Sequence, residues 1–283
     1  MTKTIDTLVP DILGLIDAQQ HSIIDHARDR FGNDLASIIS TRLFRGTDEP
    51  TLRFSNLGSP CERKLWYEIN DKSGGESLSP DARIKFLFGD ILEHLLLFLA
   101  REAGHIVEGE QETVEINGIL GHFDAIIDGV VVDVKSASTY SFNKFKSHEL
   151  ETNDPFGYLD QISAYHYALK NDPRVTEKNK VAFLAVDKQL GHLCLDVYEP
   201  RKTDYPTLIE YRKSLVAQKN PPPRGFKPEA DGKSGNMKLG TFCSYCNHKN
   251  TCYPNLRVFA YSSGPRFLTS VERLPDVPEV TKK

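Results

Sequence analysis

Over residues 121–135 the chain reads Gly121-His-Phe-Asp124-Ala-Ile-Ile-Asp128-Gly129-Val-Val-Val-Asp133-Val134-Lys135. Asp128-Gly129 between β-branched residues is a strong signal for a two-residue hairpin turn. Val130 then faces Ile127 across the hairpin, and counting outward places Asp124 opposite Asp133. Directly opposed residues have Cβ atoms roughly 4.5–5.5 Å apart, where like charges are destabilising. A divalent cation shared by the two carboxylates relieves that repulsion. Lys135, two residues further, points to the same face as Asp133. A hard cation on carboxylates polarises a phosphate and acidifies a bound water, and a neighbouring lysine orients that water and neutralises developing charge. The chemistry expected of such a set is phosphodiester hydrolysis. A surface hairpin with solvated charges is the alternative, against which the apolar flanks of both strands argue.

A third metal ligand must come from elsewhere. The helix expected over 81–103, started by Ser79-Pro80-Asp81, is apolar on most sides and is expected to be buried. Its polar stripe carries Arg83, Asp90, His94 and Arg101, while Glu93 falls among Phe86, Gly89, Leu96, Leu97 and Ala100. A carboxylate on an apolar face is costly unless paired or bound to metal. Glu93 is therefore the preferred third ligand and His94 its competitor. Gln161 and Tyr165, one turn apart on a helix expected over 158–170, supply an amide and a hydroxyl that can touch phosphate or orient Lys135.

Taken in order, Gly89-x-x-x-Glu93, Gly121-x-x-Asp124, Asp133-x-Lys135 and Gln161-x-x-x-Tyr165 resemble the PD-(D/E)XK nuclease superfamily in its RecB-like branch. The resemblance covers 81–170 directly. It implies a restriction-endonuclease-like core with Mg²⁺ or Mn²⁺ on Asp124, Asp133 and the main-chain carbonyl of Val134. It also implies that Lys135 supports the attacking water and that Gln161 and Tyr165 complete the site. Many RecB-like members carry histidine four residues after the glycine. Here that place is Glu93, as in lambda-type phage exonucleases, with His94 next.

Cys243-x-x-Cys246 and Cys252 offer three ligands within ten residues, and Cys61 offers a fourth. Read as residues alone, they permit zinc, with His248 as a substitute ligand. Their distribution, one cysteine before the nuclease motifs and three after, resembles that of CRISPR-associated iron–sulfur exonucleases. That resemblance implies a [4Fe–4S] cluster acting as a structural staple across a long loop. Cys194, between Leu193 and Leu195, is expected to be packing only.

The elements that must position these residues are an α/β set. A helical N-terminal arm (1–60) is suggested by Leu8, Ile12 and Ile16, then Ile23, Ile24, Ala27 and Phe31 at helical spacing. A nuclease core (61–219) contains an antiparallel meander with strands over 107–116, 119–127 and 130–136. Helices and further strands over 180–187 and 193–198 complete a central mixed β-sheet flanked by helices. A Pro/Gly-rich connector (220–240) leads into the cysteine-bearing C-terminal lobe (220–283). Tyr140, Phe142, Lys144, Phe145, Lys146 and His148 alternate aromatic and basic side chains, as a single-stranded nucleic-acid path or as an ordinary loop-and-helix surface.

The chain has 283 residues and a formal net charge of −4, which argues against a strongly basic DNA coater but not against a local basic groove. Its longest apolar run, 95–100, is far short of the ~20 residues that span a bilayer. Five cysteines without a secretion-signal pattern point to a reducing, cytoplasmic setting. The expected activity is that of a metal-dependent DNA exonuclease on single-stranded or end-exposed DNA, in recombination, repair or phage DNA processing. Its expected partners are DNA and recombination or replication proteins, with no membrane. The alternative is a DNA-binding or adaptor protein of the same fold without turnover.

Overall fold

A computed structural model describes residues 3–18, 23, 25–44, 50–71, 75–76 and 79–280. Ile24 and much of the Gly/Ser-rich segment over 73–78 lie outside the described residues. Helices α1 (Leu8–Asp17), α2 (Asp25–Phe44), α3 (Phe54–Leu57), α4 (Glu62–Asn70) and α5 (Pro80–Glu102) precede the first strand. Strands β1 (Val107–Glu108), β2 (Thr113–Ile116), β3 (Ile119–His122), β4 (Ala125–Ile127) and β5 (Val130–Ala137) follow. Next come α6 (Thr139–Lys146), α7 (Tyr158–Ala168), β6 (Val181–Asp187), β7 (Leu193–Tyr198) and α8 (Tyr205–Val216). The chain continues through β8 (Glu229–Ala230), β9 (Met237–Lys238), α9 (Thr241–Ser244), α10 (Lys249–Cys252), β10 (Arg257–Tyr261) and β11 (Gly264–Ser270).

The central sheet has five strands in the order β1-β4-β5-β6-β7, with β5 and β6 parallel and the other pairs antiparallel. It is a mixed sheet between helical layers. Alternate residues of β5 and β6 enter two separate cores. Val131, Val181, Phe183 and Ala185 pack with α6, α7 and α8, whereas Val130, Val132, Val134, Ala182 and Leu184 pack with α1 and the C-terminal half of α5. β6 is buried at every position, as a central parallel strand covered on both faces must be.

Three expectations need correction. The three-strand meander is broken. Gly109 and Gln111 adopt positive φ (66° and 53°) and end the first strand at Glu108, so β1 pairs with β4 while β2 and β3 form a separate two-stranded ribbon. The helix read over 81–103 is buried only in its second half: Ile84, Phe86 and Phe88 are exposed, and Leu96, Leu97, Phe98 and Ala100 are buried. The stretch over 220–240 is not wholly a connector, because β8 and β9 pair and join β10 and β11 in a small four-stranded sheet. Both hairpin turns form as their sequences require: Asn117-Gly118 and Asp128-Gly129 each place two residues at positive φ. No helix among the described residues is long and apolar enough to cross a membrane.

Candidate active site

The β4–β5 ladder pairs Ile127 with Val130 and ends at Ala125 opposite Val132. Asp124 is the first residue beyond it. Its side chain, rather than its backbone, continues the connection, since Oδ2 accepts the Val134 N–H at 2.7 Å. β4 is only three residues long, so the edge of β5 that carries Asp133 and Lys135 is left open on this side. Lys135 Nζ lies 2.5 Å from Asp133 Oδ2 and 4.8 Å from the centre of the Tyr158 ring. Asp133 is buried, and beyond this ion pair its Oδ2 accepts no hydrogen bond of ordinary geometry.

α5 brings Glu93 to the same place from the other side of the sheet. Gln111 Nε2 bonds Glu93 Oε1 and reaches Asp124 Oδ1 at 3.4 Å. Burial, and then the Asp124 charge, pushes the Glu93 carboxyl well above the usual carboxylate range. Burial and Asp133 push Asp124 up in the same way, against the pull of Lys135 and the Val134 N–H. Burial would lower the Lys135 pKa, but Asp133 and Asp124 outweigh it and hold the ammonium above its ordinary value. Lys135 is therefore a fixed cation.

His94 lies elsewhere. Burial lowers its pKa, and the charges that face it are Asp34, Asp90 and Arg101. It lines a cavity between α2 and α5 with Arg30, Phe31 and Glu110. Gln161 Nε2 donates to the Tyr165 hydroxyl at 3.3 Å, and buried Tyr165 packs on Phe54. Gly121 is glycine because of that packing: a Cβ there would lie 2.7 Å from Phe54 Cγ and 2.7 Å from Tyr165 Cε1. The aromatic and basic alternation over 140–148 does not form one path. α6 turns Phe142 and Phe145 into the core and leaves Tyr140 exposed, with Lys144 5.4 Å from its ring centre. Gln111 and Tyr158 were not singled out from the sequence, where neither stands in a spacing that marks it.

The donor set of Glu93, Asp124 and Asp133 is all hard oxygen, and the repulsion among the three is what a divalent cation would relieve. Cys61, Cys243, Cys246 and Cys252 line a second pocket with Tyr67, His248 and Tyr253. None of the five cysteines forms a disulfide, and Cys194, on β7, is apart from the other four. Burial pushes the Cys243 thiol up to about 11, with Cys61, Cys246 and Cys252 adding to the shift. Four soft donors this close suit a thiolate-bound metal or cluster, whose positive charge would invert that shift. As the side chains stand, no group of three or more His, Cys, Asp or Glu among the described residues is arranged to hold a metal ion.

Neither a protein-family model nor a curated relative matches the sequence. Among solved structures the chain is similar to SSO0001, with 17% identity over 75% of this chain and 90% of that one, at a TM-score of 0.43. It is also similar to a phage-related exonuclease from Haemophilus somnus 129PT, with 14% identity over 60% and 92% of the two chains and a TM-score of 0.38. An alkaline exonuclease from Laribacter hongkongensis shares 14% identity over 64% and 89%, with a TM-score of 0.34. At such distances chemistry is read from the site rather than from the neighbours.

Proposed function

We propose that the chain is a metal-dependent deoxyribonuclease. The observation that supports this most is the pair of mutually repelling carboxylates, Asp124 and Asp133, beside an ammonium held charged 2.5 Å away at the open edge of β5. Mg²⁺ or Mn²⁺ would be held by Glu93, Asp124 and Asp133, with the Val134 carbonyl in reach of the same edge. When bound, the ion supplies Lewis-acid polarisation of the phosphate and an acidified water. Lys135 then steadies the attacking oxygen and the charge that grows on the phosphoryl group. Gln161 and Tyr165 stand behind it as a hydrogen-bonded pair.

A cavity of about 360 Å³ supports action at strand ends. Arg53, Ser55, Asn56 and Lys64 line it, together with Phe156, whose ring lies 5.5 Å from that of Tyr158. Tyr158 in turn borders Lys135, so the Phe156 and Tyr158 rings link this cavity to the proposed hydrolytic site. In this reading the four clustered cysteines hold a [4Fe–4S] cluster that ties the start of α4 to the C-terminal lobe.

Incubating the full chain with end-labelled single-stranded DNA and Mn²⁺ tests the proposal. The expected result is metal-dependent release of nucleotides or short products, absent in Asp133→Asn. DNA binding without any cleavage by the wild-type chain would favour the adaptor alternative.

A further inference from the structure

The loop between β1 and β2 is pinned residue by residue. Gly109 opens it at φ 66°, where a Cβ would lie 2.8 Å from the Phe123 ring. Glu110 is then gripped from one side by Arg101 of α5 and by Arg30 of α2, the latter at 3.4 Å. Glu112 is gripped from the other side by the Arg174 guanidinium, at 2.9 and 2.7 Å. Between them Gln111 sits at φ 53°, and its N–H donates to the Asp124 carbonyl at 3.2 Å. A left-handed backbone at a residue other than glycine is costly and persists only where its surroundings enforce it. Here the ion pairs of the two flanking glutamates enforce it. The consequence is that the Gln111 amide is delivered to Glu93 Oε1 and Asp124 Oδ1.

We propose that Gln111 is a positioning residue for the metal site, acting through Glu93. Glu93 projects from α5, whereas Asp124 and Asp133 belong to the hairpin, so nothing in the hairpin register sets where its carboxylate ends up. The Gln111 amide is the link. It donates to a carboxylate of each element and brings the helix-borne ligand onto the pair carried by the sheet. In the ionised state that metal binding requires, the amide must present its NH₂ to the two carboxylates, because its oxygen turned toward them would be repelled. Removing a partner that orients a metal ligand typically weakens metal binding 10–100-fold. The inference rests on the metal-site reading given above.

The test is Mn²⁺ affinity, read from the free-ion EPR signal, for the full-length wild type, Gln111→Leu, Glu93→Gln and the double variant. Gln111→Asn is a second variant that keeps the left-handed backbone comfortable while shortening the reach. The expected result is Mn²⁺ binding weakened about tenfold or more in Gln111→Leu and Gln111→Asn, with the double variant no weaker than Glu93→Gln alone. Wild-type affinity in both Gln111 variants overturns the inference while leaving the metal site standing. An equal further loss in the Glu93→Gln background also overturns it, since Gln111 would then not act through Glu93. If the wild type itself binds no Mn²⁺, the reading of the metal site fails and takes this inference with it.

Discussion

Asp124 is tied to Val134 by a 2.7 Å bond from a backbone N–H to its carboxylate, so its position is set by the strand that also carries Asp133 and Lys135. The two carboxylates and the lysine are thus held on one stretch of backbone. Asp133→Asn and Lys135→Ala should each lower cleavage by about 10²–10³-fold or more, the scale seen when one preorganised electrostatic group is removed from an active site. Circular dichroism should show the fold retained. Wild-type cleavage by either purified variant would remove this site from consideration.

Glu93 and His94 are neighbours in sequence that face different surroundings. Glu93→Gln should lose Mn²⁺-supported activity, whereas His94→Ala should keep it, because His94 faces Asp34, Asp90 and Arg101 rather than the hairpin. Loss of activity in the histidine variant alone would reverse the assignment.

The buried carboxylates also make stability depend on pH. A carboxyl whose folded pKa lies above its ordinary value, near 4, stabilises the fold while protonated, and that contribution is lost as pH rises through the elevated folded value. Glu93 and Asp124 are both raised, so Tm in chelator should fall as pH increases from the acidic into the neutral and mildly basic range. Metal binding requires the ionised forms. The Tm gain from saturating Mn²⁺ should therefore be larger at about pH 8.5 than at about pH 6, and Glu93→Gln should flatten both trends. A chelator Tm that rises over the same range would contradict the burial of these groups.

Much of the site could be read because its parts are local. Asp124, Asp133 and Lys135 sit on one hairpin whose Asp128-Gly129 turn dictates the register, and the observed ladder follows that register to Ala125 and Val132. The mixed sheet was legible for the same reason, since β5, β6 and β7 are short apolar runs bounded by turn residues. What escaped was set by tertiary contacts. The break at Gly109 and Gln111 depends on arginines from α2, α5 and the segment before β6, which no local pattern shows. Phe86 is exposed because the buried residues of α5 all lie in its second half, from Leu96 onward. Phe142 and Phe145 alternate with basic residues along the sequence, but on a helix they share the buried side.

Gly121→Ala gives a purely steric prediction. The added methyl meets Phe54 and Tyr165 at 2.7 Å, both of them buried rings with little room to move. Overpacking of this kind costs about 1–3 kcal/mol. The variant should melt several degrees lower, and pairing it with Tyr165→Leu should recover part of the loss. An unchanged Tm would mean that this contact is looser than the geometry states.

The cysteine pocket makes the last prediction. Cys61 caps the N-terminus of α4, its sulfur accepting the Lys64 N–H at 3.4 Å, and the other three cysteines come from α9, α10 and the turn between them. A cluster bound here joins segments that are far apart in sequence, so its loss should loosen their union rather than only the site. Anaerobically purified protein should be brown, with iron and sulfide in stoichiometric amounts. Cys61→Ser and Cys246→Ser should lose both, together with solubility and thermal stability. Cys194→Ser should keep them, because that half-buried thiol stands opposite Ala185 in the β6–β7 ladder, and burial pushes its pKa up to about 12. Stoichiometric zinc without iron or sulfide would replace the cluster with a structural zinc site built from the same thiolates.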